Sequence, residues 1–416
     1  MTARVAVTGF GAVTPVGHDA EATWQSLVSG RSGVGRITTF DPSTFPVKIA
    51  ALVKDFDAPT GPAARHLSRA GLFALAAARE AARSAGLDGE YEPHERGLAL
   101  GGSMGRPRLE ELIDMSCLMR DSDGRELYRQ PPSMVLERDQ NVTGARIGTE
   151  LGLEGPALSV STACTASAHS IGEGFRLVQE GDAKVVLAGG TDALTTWFDV
   201  LGFGLLGALT KDHEDEPERA SRPFDAERSG FVLGEGAVMI VLEELESARA
   251  RGATVYAEVV GYGSSLNAYR MTDPPPDGGG VTLAIEKALD DSGLSRDQID
   301  YVAAHGTSTP GNDKTETLAL KQAFGEHATR LAISSNKSMT GHLTCAAGAL
   351  NVLAAARAIS DGVVPPTINY EHPDPECDLD YVPNEARELS PRAVLVNAFA
   401  FGGTNGCLVL RRPEDA

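Results

Sequence analysis

Aromatic residues make up only 6% of this 416-residue chain and charged residues only 23%, and it holds just five cysteines and two tryptophans. Basic residues are the scarcer charge: 37 lysines and arginines face 57 aspartates and glutamates, a formal net charge of −20. A protein that tracks phosphate backbones needs a basic excess, so nucleic acid is excluded as a general partner. An anionic membrane surface is excluded on the same ground. No apolar run approaches the roughly 20 residues that span a bilayer. The start, Met1-Thr-Ala-Arg-Val-Ala-Val-Thr-Gly9, is a short strand pattern without the apolar core of a signal peptide. Cys117, Cys164, Cys345, Cys377 and Cys407 are odd in number, and no two are separated by only two residues. Neither a disulfide framework nor a Cys-x-x-Cys metal site is legible, so reduced thiols in a cytoplasmic protein are expected.

Glycine, by contrast, is plentiful at 46 residues, which suits the tight turns and close backbone approaches of a large α/β enzyme. Short β-branched runs alternate with Ala- and Leu-rich segments. Strands are predicted at 5–8, 98–101, 157–161, 185–188 and 238–242, and again at 255–261, 301–304, 331–335, 394–398 and 407–410. Helices are predicted at 67–85, stopped by Gly86, and at 281–291 and 343–359. Two passages echo one another. Ala157-Leu-Ser-Val-Ser-Thr-Ala-Cys164 and Leu331-Ala-Ile-Ser-Ser-Asn-Lys337 each run from a strand through a small-residue turn towards a helix. The echo suggests a duplicated unit, with halves 1–255 and 256–416.

Three motifs invite a function and fail on their context. Gly9-Phe-Gly11-Ala-Val-Thr14 follows a strand but lacks the third glycine of a dinucleotide fingerprint, and Pro15 disturbs the helix it needs. Gly101-Gly-Ser103-Met-Gly105 matches a hydrolase nucleophile elbow, yet Pro107 interrupts the following helix. Gly306-Thr-Ser-Thr-Pro-Gly311 lacks the Gly-Lys-Ser/Thr of a phosphate loop. Structural turns are expected at the first two, and no nucleotide site at the third.

A different constellation holds together. Cys164 falls between a strand and a helix among small neighbours, where free amides would lower a thiol from about 8.5 towards neutrality. His305, in Val302-Ala-Ala-His305-Gly-Thr307-Ser-Thr309-Pro, ends a strand and is followed by hydroxyls. Lys337 and His342, in Ser335-Asn-Lys337-Ser-Met-Thr-Gly341-His342, precede a helix. Strand ends of an α/β sheet meet on one side, which is where sites form. Asn397-Ala-Phe399-Ala-Phe401-Gly-Gly-Thr-Asn405 adds a glycine-rich turn with two phenylalanines.

At these residues the sequence resembles the β-ketoacyl-acyl carrier protein synthases, specifically the KAS II-like condensing enzymes of the thiolase superfamily. The resemblance spans essentially the whole chain, through Val5-Ala-Val-Thr-Gly-Phe-Gly, Thr162-Ala-Cys-Thr165, Ser221-Arg-Pro-Phe-Asp225, Gly230-Phe-Val-Leu-Gly-Glu-Gly-Ala237, His305-Gly-Thr-Ser-Thr-Pro310, Lys337-Ser-Met-Thr-Gly-His342 and Phe401-Gly-Gly-Thr-Asn405. It implies an α/β thiolase-like fold of five layers, α-β-α-β-α, from two duplicated halves. It also implies a decarboxylative Claisen condensation. An acyl chain carried on the phosphopantetheine of an acyl carrier protein passes to Cys164, and the enolate of malonyl-carrier protein then attacks that thioester. In this family pattern His305 and His342 donate to the enolate, and the amides of Cys164 and Phe401 form an oxyanion hole. Thr307 and Thr309 bind the pantetheine arm, Phe399 and Phe401 give an apolar setting for decarboxylation, and Lys337 orients the network around His342. No metal or redox cofactor is implied. The expected partners are acyl carrier protein and a second subunit, either an identical copy or a chain-length-factor-like homologue.

Several positions depart from that pattern. Asn351 stands where a glutamate usually pairs with the lysine, so Glu316 is expected to take more of that role. Ala400 replaces a common glycine between the phenylalanines, and residues 120–141 differ from the housekeeping enzymes. Other segments resemble type II polyketide ketosynthases as much as fatty-acid enzymes, which keeps both pathways open. The alternative of a non-catalytic chain-length-factor-like subunit is disfavoured by the retention of Cys164, His305 and His342. A thiolase is disfavoured because Cys407 reads as core. Since the carrier protein is itself acidic, a local basic rim is expected, with Arg65, Arg69, Arg125, Arg129 and Arg270 as its candidates.

Overall fold

Along Gly236–Glu244 successive side chains turn to opposite faces, and both faces are buried. Val238, Ile240 and Leu242 enter one hydrophobic core, while Ala237, Met239 and Val241 enter another. Such a strand belongs inside a sheet covered on both sides. The computed structural model, which describes residues 2–105, 111, 123–124 and 133–414, places it in a ten-stranded mixed sheet.

The strands are β1 (Val5–Val13), β2 (Val34–Arg36), β3 (Ile49–Ala51), β4 (Arg96–Gly102), β5 (Ala157–Val160), β6 (Val185–Asp192), β7 (Gly236–Glu244), β8 (Ala257–Leu266), β9 (Ile299–Ala303), β10 (Ala332–Ser334), β11 (Val363–Val364), β12 (Arg387–Glu388), β13 (Ala393–Phe399) and β14 (Thr404–Arg411). Two small ribbons, β2–β3 and β11–β12, stand apart, and the other ten run in the order β10-β9-β13-β14-β8-β1-β7-β6-β4-β5. Every predicted strand falls on one of these ten.

The join at the centre is slight: β1 meets β8 through Val5–Val259, Ala6–Glu258 and Val7–Ala257 alone. On either side of it the same pattern repeats. β1 is antiparallel to β7 and β7 to β6, which runs parallel to β4 and, beyond it, β5. Likewise β8 is antiparallel to β14 and β14 to β13, which runs parallel to β9 and, beyond it, β10. Helices Arg69–Ala85, Gln140–Leu151 and Ala166–Glu180 occupy the gaps of the first set. Helices Gly279–Ser292, Pro310–Phe324 and Ala347–Asp361 occupy the same gaps of the second.

Three cores define the layers. Ala166–Glu180 and Ala347–Asp361 lie between the two half-sheets, where Ala168, Ile171 and Phe175 share a core with Val352, Ala355 and side chains of both. Arg69–Ala85 covers one outer face and Gly279–Ser292 with Pro310–Phe324 the other. The result is the five-layered α-β-α-β-α arrangement.

Local chemistry sets the element ends. Arg69–Ala85 begins one turn-cap after the predicted position because the Ser68 hydroxyl accepts from Gly71 N, and it ends where Gly86 adopts a left-handed conformation. Its alanine face lies so close to β1 that a Cβ on Gly11 would stand 1.9 Å from the Ala77 carbonyl oxygen. Gly11 is therefore a packing glycine within β1, and the turn expected at Gly9–Thr14 is corrected: the strand runs on to Val13. The helix predicted at 343–359 is corrected. It starts only at Ala347, after a 3₁₀ turn at Thr344–Ala346, because Thr344 has φ +47° and cannot belong to a right-handed helix.

Candidate active site

Cys164 sits in a 3₁₀ turn, Ala163–Thr165, between β5 and helix Ala166–Glu180. Ala163 reaches φ +52°, which turns the chain sharply and presents Cys164 to a pocket. The backbone N–H groups of Phe401 and of Cys164 itself are directed at the sulfur. The expectation of a thiol lowered towards neutrality is overturned. Burial pushes Cys164 up to about 11, the nearby charge of Asp192 adds to this, and the Lys337 cation and the two amides pull the other way. The pocket is thus a resting site for a thiol, and the thiolate needs the positive charge beside it.

The same pocket is lined by His305, Thr307, Thr309, His342, Phe399 and Phe401, so all the predicted binding and catalytic side chains except Lys337 open onto it. His305 lies two residues past the end of β9. The loop it begins is held by two carboxylates one turn apart on helix Pro310–Phe324. Glu316 accepts from the N–H of His305 (2.8 Å), the N–H of Gly306 (2.8 Å) and Asn397 Nδ2 (2.9 Å). Asp313 accepts from the N–H groups of Thr307, Ser308 and Phe224. The hydroxyls of Thr307 and Thr309 lie 2.8 Å apart, and that of Thr309 caps the helix by accepting from Asn312 N.

Lys337 is buried behind this loop, and its Nζ donates to the His305 carbonyl. Burial lowers it to about 8, while the charge of Glu316 holds it up. The two histidines stand edge to face with ring centroids 5.4 Å apart. Burial, followed by the Lys337 cation, keeps both well below the ordinary histidine range, so both are neutral. The tautomer of His342 follows from one bond: its Nδ1 accepts the N–H of Thr344 at 3.1 Å, so the proton resides on Nε2. The buried Nδ1 of His305 has no hydrogen-bond partner among the described residues.

Asn351 has a different place from that expected. Its Nδ2 donates to the carbonyls of Ala304 (2.9 Å) and Asn397 (3.3 Å), and its Oδ1 accepts from Asn336 Nδ2 (3.2 Å). It ties together the segments that carry His305, Phe399 and Lys337. The charge influence on Lys337 comes from Glu316, as foreseen. Ala400 sits in the glycine-rich turn, where its N–H donates to the Thr404 carbonyl and Gly402 and Gly403 take the left-handed conformations.

One site residue was missed. Phe231 stands between His342, at 5.4 Å, and Phe401, at 6.3 Å, and Phe399 backs His305 at 5.4 Å. Phe231 belongs to the Gly230-to-Ala237 motif, and its one distinguishing signal is an aromatic within a glycine-rich run. Cys407 is fully buried in β14, as expected of core. In the elbow-like motif Gly101 and Gly102 end β4, and the Ser103 hydroxyl donates to Asp192 Oδ1 at 2.8 Å.

The basic-rim candidates divide. Arg270 lines the pocket, paired with Asp273. Arg69 is taken by Glu235, at 2.6 Å, and by the Val53 carbonyl, so it is no rim residue. Arg65 lies beside Arg146 in a separate groove. Arg125, Arg129, Cys117 and half of segment 120–141 lie outside the described residues. Among the described residues no cluster of three or more His, Cys, Asp or Glu side chains could hold a metal. No described helix is long and apolar enough to cross a membrane.

Buried neutral imidazoles, a thiol under two amides and a buried lysine, in two fused half-sheets, make a thiol-nucleophile site of the kind the resemblance implies. The family described as beta-ketoacyl synthase matches here, its N-terminal domain over residues 2–248 and its C-terminal domain over residues 256–371. The 3-oxoacyl-[acyl-carrier-protein] synthase 2 of Coxiella burnetii is 44% identical over 417 residues, covering 99% of each chain. That of Synechocystis sp. is 45% identical over 413 residues, covering 98% of each. Among solved structures, a beta-ketoacyl synthase from Burkholderia phymatum matches with TM-score 0.90 at 34% identity, covering 99% of this chain and 100% of that one. The ishigamide ketosynthase/chain length factor matches with TM-score 0.89 at 37% identity, covering 100% of both. The chain belongs to the β-ketoacyl synthase family and is a ketosynthase enzyme.

Proposed function

We propose that the chain lengthens acyl chains by two carbons per cycle on Cys164, with acyl carrier protein delivering both substrates. In the first half-reaction the Cys164 sulfur attacks the carrier-bound thioester carbonyl. A new C–S bond forms, the carrier thiolate leaves, and it takes up the proton that Cys164 loses. The amides of Cys164 and Phe401, already directed at the sulfur, are placed to stabilise the oxyanion. In the second, malonyl-carrier protein loses carbon dioxide, and its C–C electron pair becomes an enolate. Neutral His342, protonated on Nε2, and neutral His305 donate to that enolate oxygen. The enolate carbon then attacks the acyl-Cys164 carbonyl, the C–S bond breaks, and the Cys164 thiolate takes up one proton from solvent.

Phe231, Phe399 and Phe401 supply the apolar walls beside the histidines that favour loss of a carboxylate as neutral carbon dioxide. Thr307 and Thr309 are the hydrogen-bonding residues for the pantetheine arm, and Arg270 marks the basic side of the entrance. Lys337 fixes His305 through its carbonyl. This chemistry uses side chains and backbone alone and calls for no metal or redox cofactor.

The observation that carries the reading is the meeting of Cys164 and two neutral imidazoles in one pocket. The same set weighs against a non-catalytic subunit. β5 ends the sheet with Ala157, Leu158 and Ser159 exposed, an open edge that supports pairing with a second subunit, identical or homologous. We place this activity in the cytoplasm, in fatty-acid or type II polyketide synthesis, where Cys164, Cys345, Cys377 and Cys407 would stay reduced. The test is incubation with acyl- and malonyl-carrier proteins followed by intact-mass analysis. Wild type gains the acyl mass and Cys164→Ala does not; normal condensation by Cys164→Ala would overturn the assignment.

A further inference from the structure

A carboxylate outside the catalytic set grips Thr344, one of the residues that line the pocket. Asp192 ends β6 and is 2% exposed. Its Oδ1 accepts from Ser103 Oγ (2.8 Å) and Ala193 N (3.0 Å), and its Oδ2 accepts from Thr344 Oγ1 (2.7 Å) and Cys345 N (3.3 Å). Four donors converge on its two oxygens, and a carboxylate has the lone pairs to accept all four.

Thr344 shows what this grip does. A β-branched residue at φ +47° is a strained outlier, which persists only where its surroundings enforce it. Asp192 holds both the hydroxyl of Thr344 and the amide that follows it. In that conformation the N–H of Thr344 points at His342 Nδ1, 3.1 Å away. Asp192 lies on β6 in the half that carries Cys164, where Ser103 just past β4 steadies it, so its bond to Thr344 crosses between the halves.

We infer that Asp192 is a positioning residue: it locks Thr344 in the left-handed conformation and thereby fixes His342 as an Nε2–H donor towards the pocket. The inference rests on the role proposed above for His342. It has a second consequence. The Asp192 charge opposes the Cys164 thiolate, so the residue aids the enolate step while it hinders the acylation step.

These opposed effects separate positioning from a merely structural role, which would lower both steps together. In Asp192→Asn the amide nitrogen must face at least one of the four donors. Malonyl decarboxylation is expected to fall about tenfold, the scale of one oriented hydrogen bond. Alkylation of Cys164 by iodoacetamide at pH 7.5 is expected to rise about threefold. In ¹⁵N-histidine spectra the His342 signals should move from a pure Nε2–H form to a mixture. Asp192→Glu should restore part of the decarboxylation. Thr344→Val removes the hydroxyl and leaves the charge, so it should slow decarboxylation without speeding alkylation, and it decides the matter alone if Asp192→Asn does not fold. His342→Ala is the control. If it keeps wild-type decarboxylation, the proposed role of His342 fails. If it loses decarboxylation while Asp192→Asn and Thr344→Val keep wild-type rates and spectra, the inference about Asp192 is overturned.

Discussion

Replacing Glu316 by Gln tests how the His305 loop and Lys337 are coupled. The carboxylate accepts three hydrogen bonds, two at Oε1 and one at Oε2. A glutamine keeps the oxygen where His305 N and Asn397 Nδ2 converge and sets its NH₂ against the N–H of Gly306. One buried amide is left without an acceptor, at a cost of about 1–3 kcal/mol, and the two surviving bonds lose their charge assistance. The sum is about 3 kcal/mol. With unfolding entropy of ~2.1 cal/mol/K per residue, a chain of this length changes by about 0.9 kcal/mol/K, so Tm should fall by about 3 °C. The charge effect is separate. Glu316 is the largest influence holding Lys337 up against burial, so its removal drives Lys337 further below about 8. A neutral Lys337 no longer lowers Cys164, and the basic limb of the acylation profile should move to lower pH. Acylation rates by intact mass from pH 6 to 9, with thermal melts in parallel, check both. A variant with wild-type Tm and an unmoved basic limb would refute the coupling.

Other expectations follow from the same geometry. Asn351→Leu matches the volume but leaves the Ala304 and Asn397 carbonyls without a donor, so a loss of about 2–4 kcal/mol is expected; an unchanged melt would show that Asn351 does not tie those segments. His305→Ala and His342→Ala should each depress carbon dioxide release from malonyl-carrier protein more than self-acylation, and the reverse pattern would reassign them. Cys164→Gln should retain malonyl decarboxylation, measured as carbon dioxide release without acyl transfer, because the histidine donors remain in place.

Much of this was legible in the sequence because two periodicities carry it. Every strand of the large sheet was marked by a β-branched run, and the echo between residues 157–164 and 331–337 foretold the repeated topology. That Cys164, His305 and His342 would meet in one pocket was legible from their combination, since the strand ends of an α/β sheet gather on one side. What stayed hidden was conformation. Nothing in the composition of Thr344-Cys345-Ala346 announces a left-handed threonine, so the helix was begun four residues early. The direction of the thiol's shift was also hidden, since it depends on burial against a charge from a distant segment. Asn351 looked like a lost counter-charge and proved to be a donor to two backbone carbonyls, a role visible only once β9 and β13 are adjacent.

The repeated turn before each central helix has an electrostatic consequence. Helices Ala166–Glu180 and Ala347–Asp361 start side by side, so closely that a Cβ on Gly348 would come within 2.9 Å of the Ala168 amide. Cys164 precedes one and Thr344 the other, and both line the pocket. Each helix start carries about half an elementary positive charge, so the pair presents about one full charge to the same small volume. Unlike the ammonium of Lys337, this charge belongs to peptide dipoles and does not titrate. Duplication therefore gave the site a permanent positive field, on which the ionisable groups superimpose a pH-dependent part.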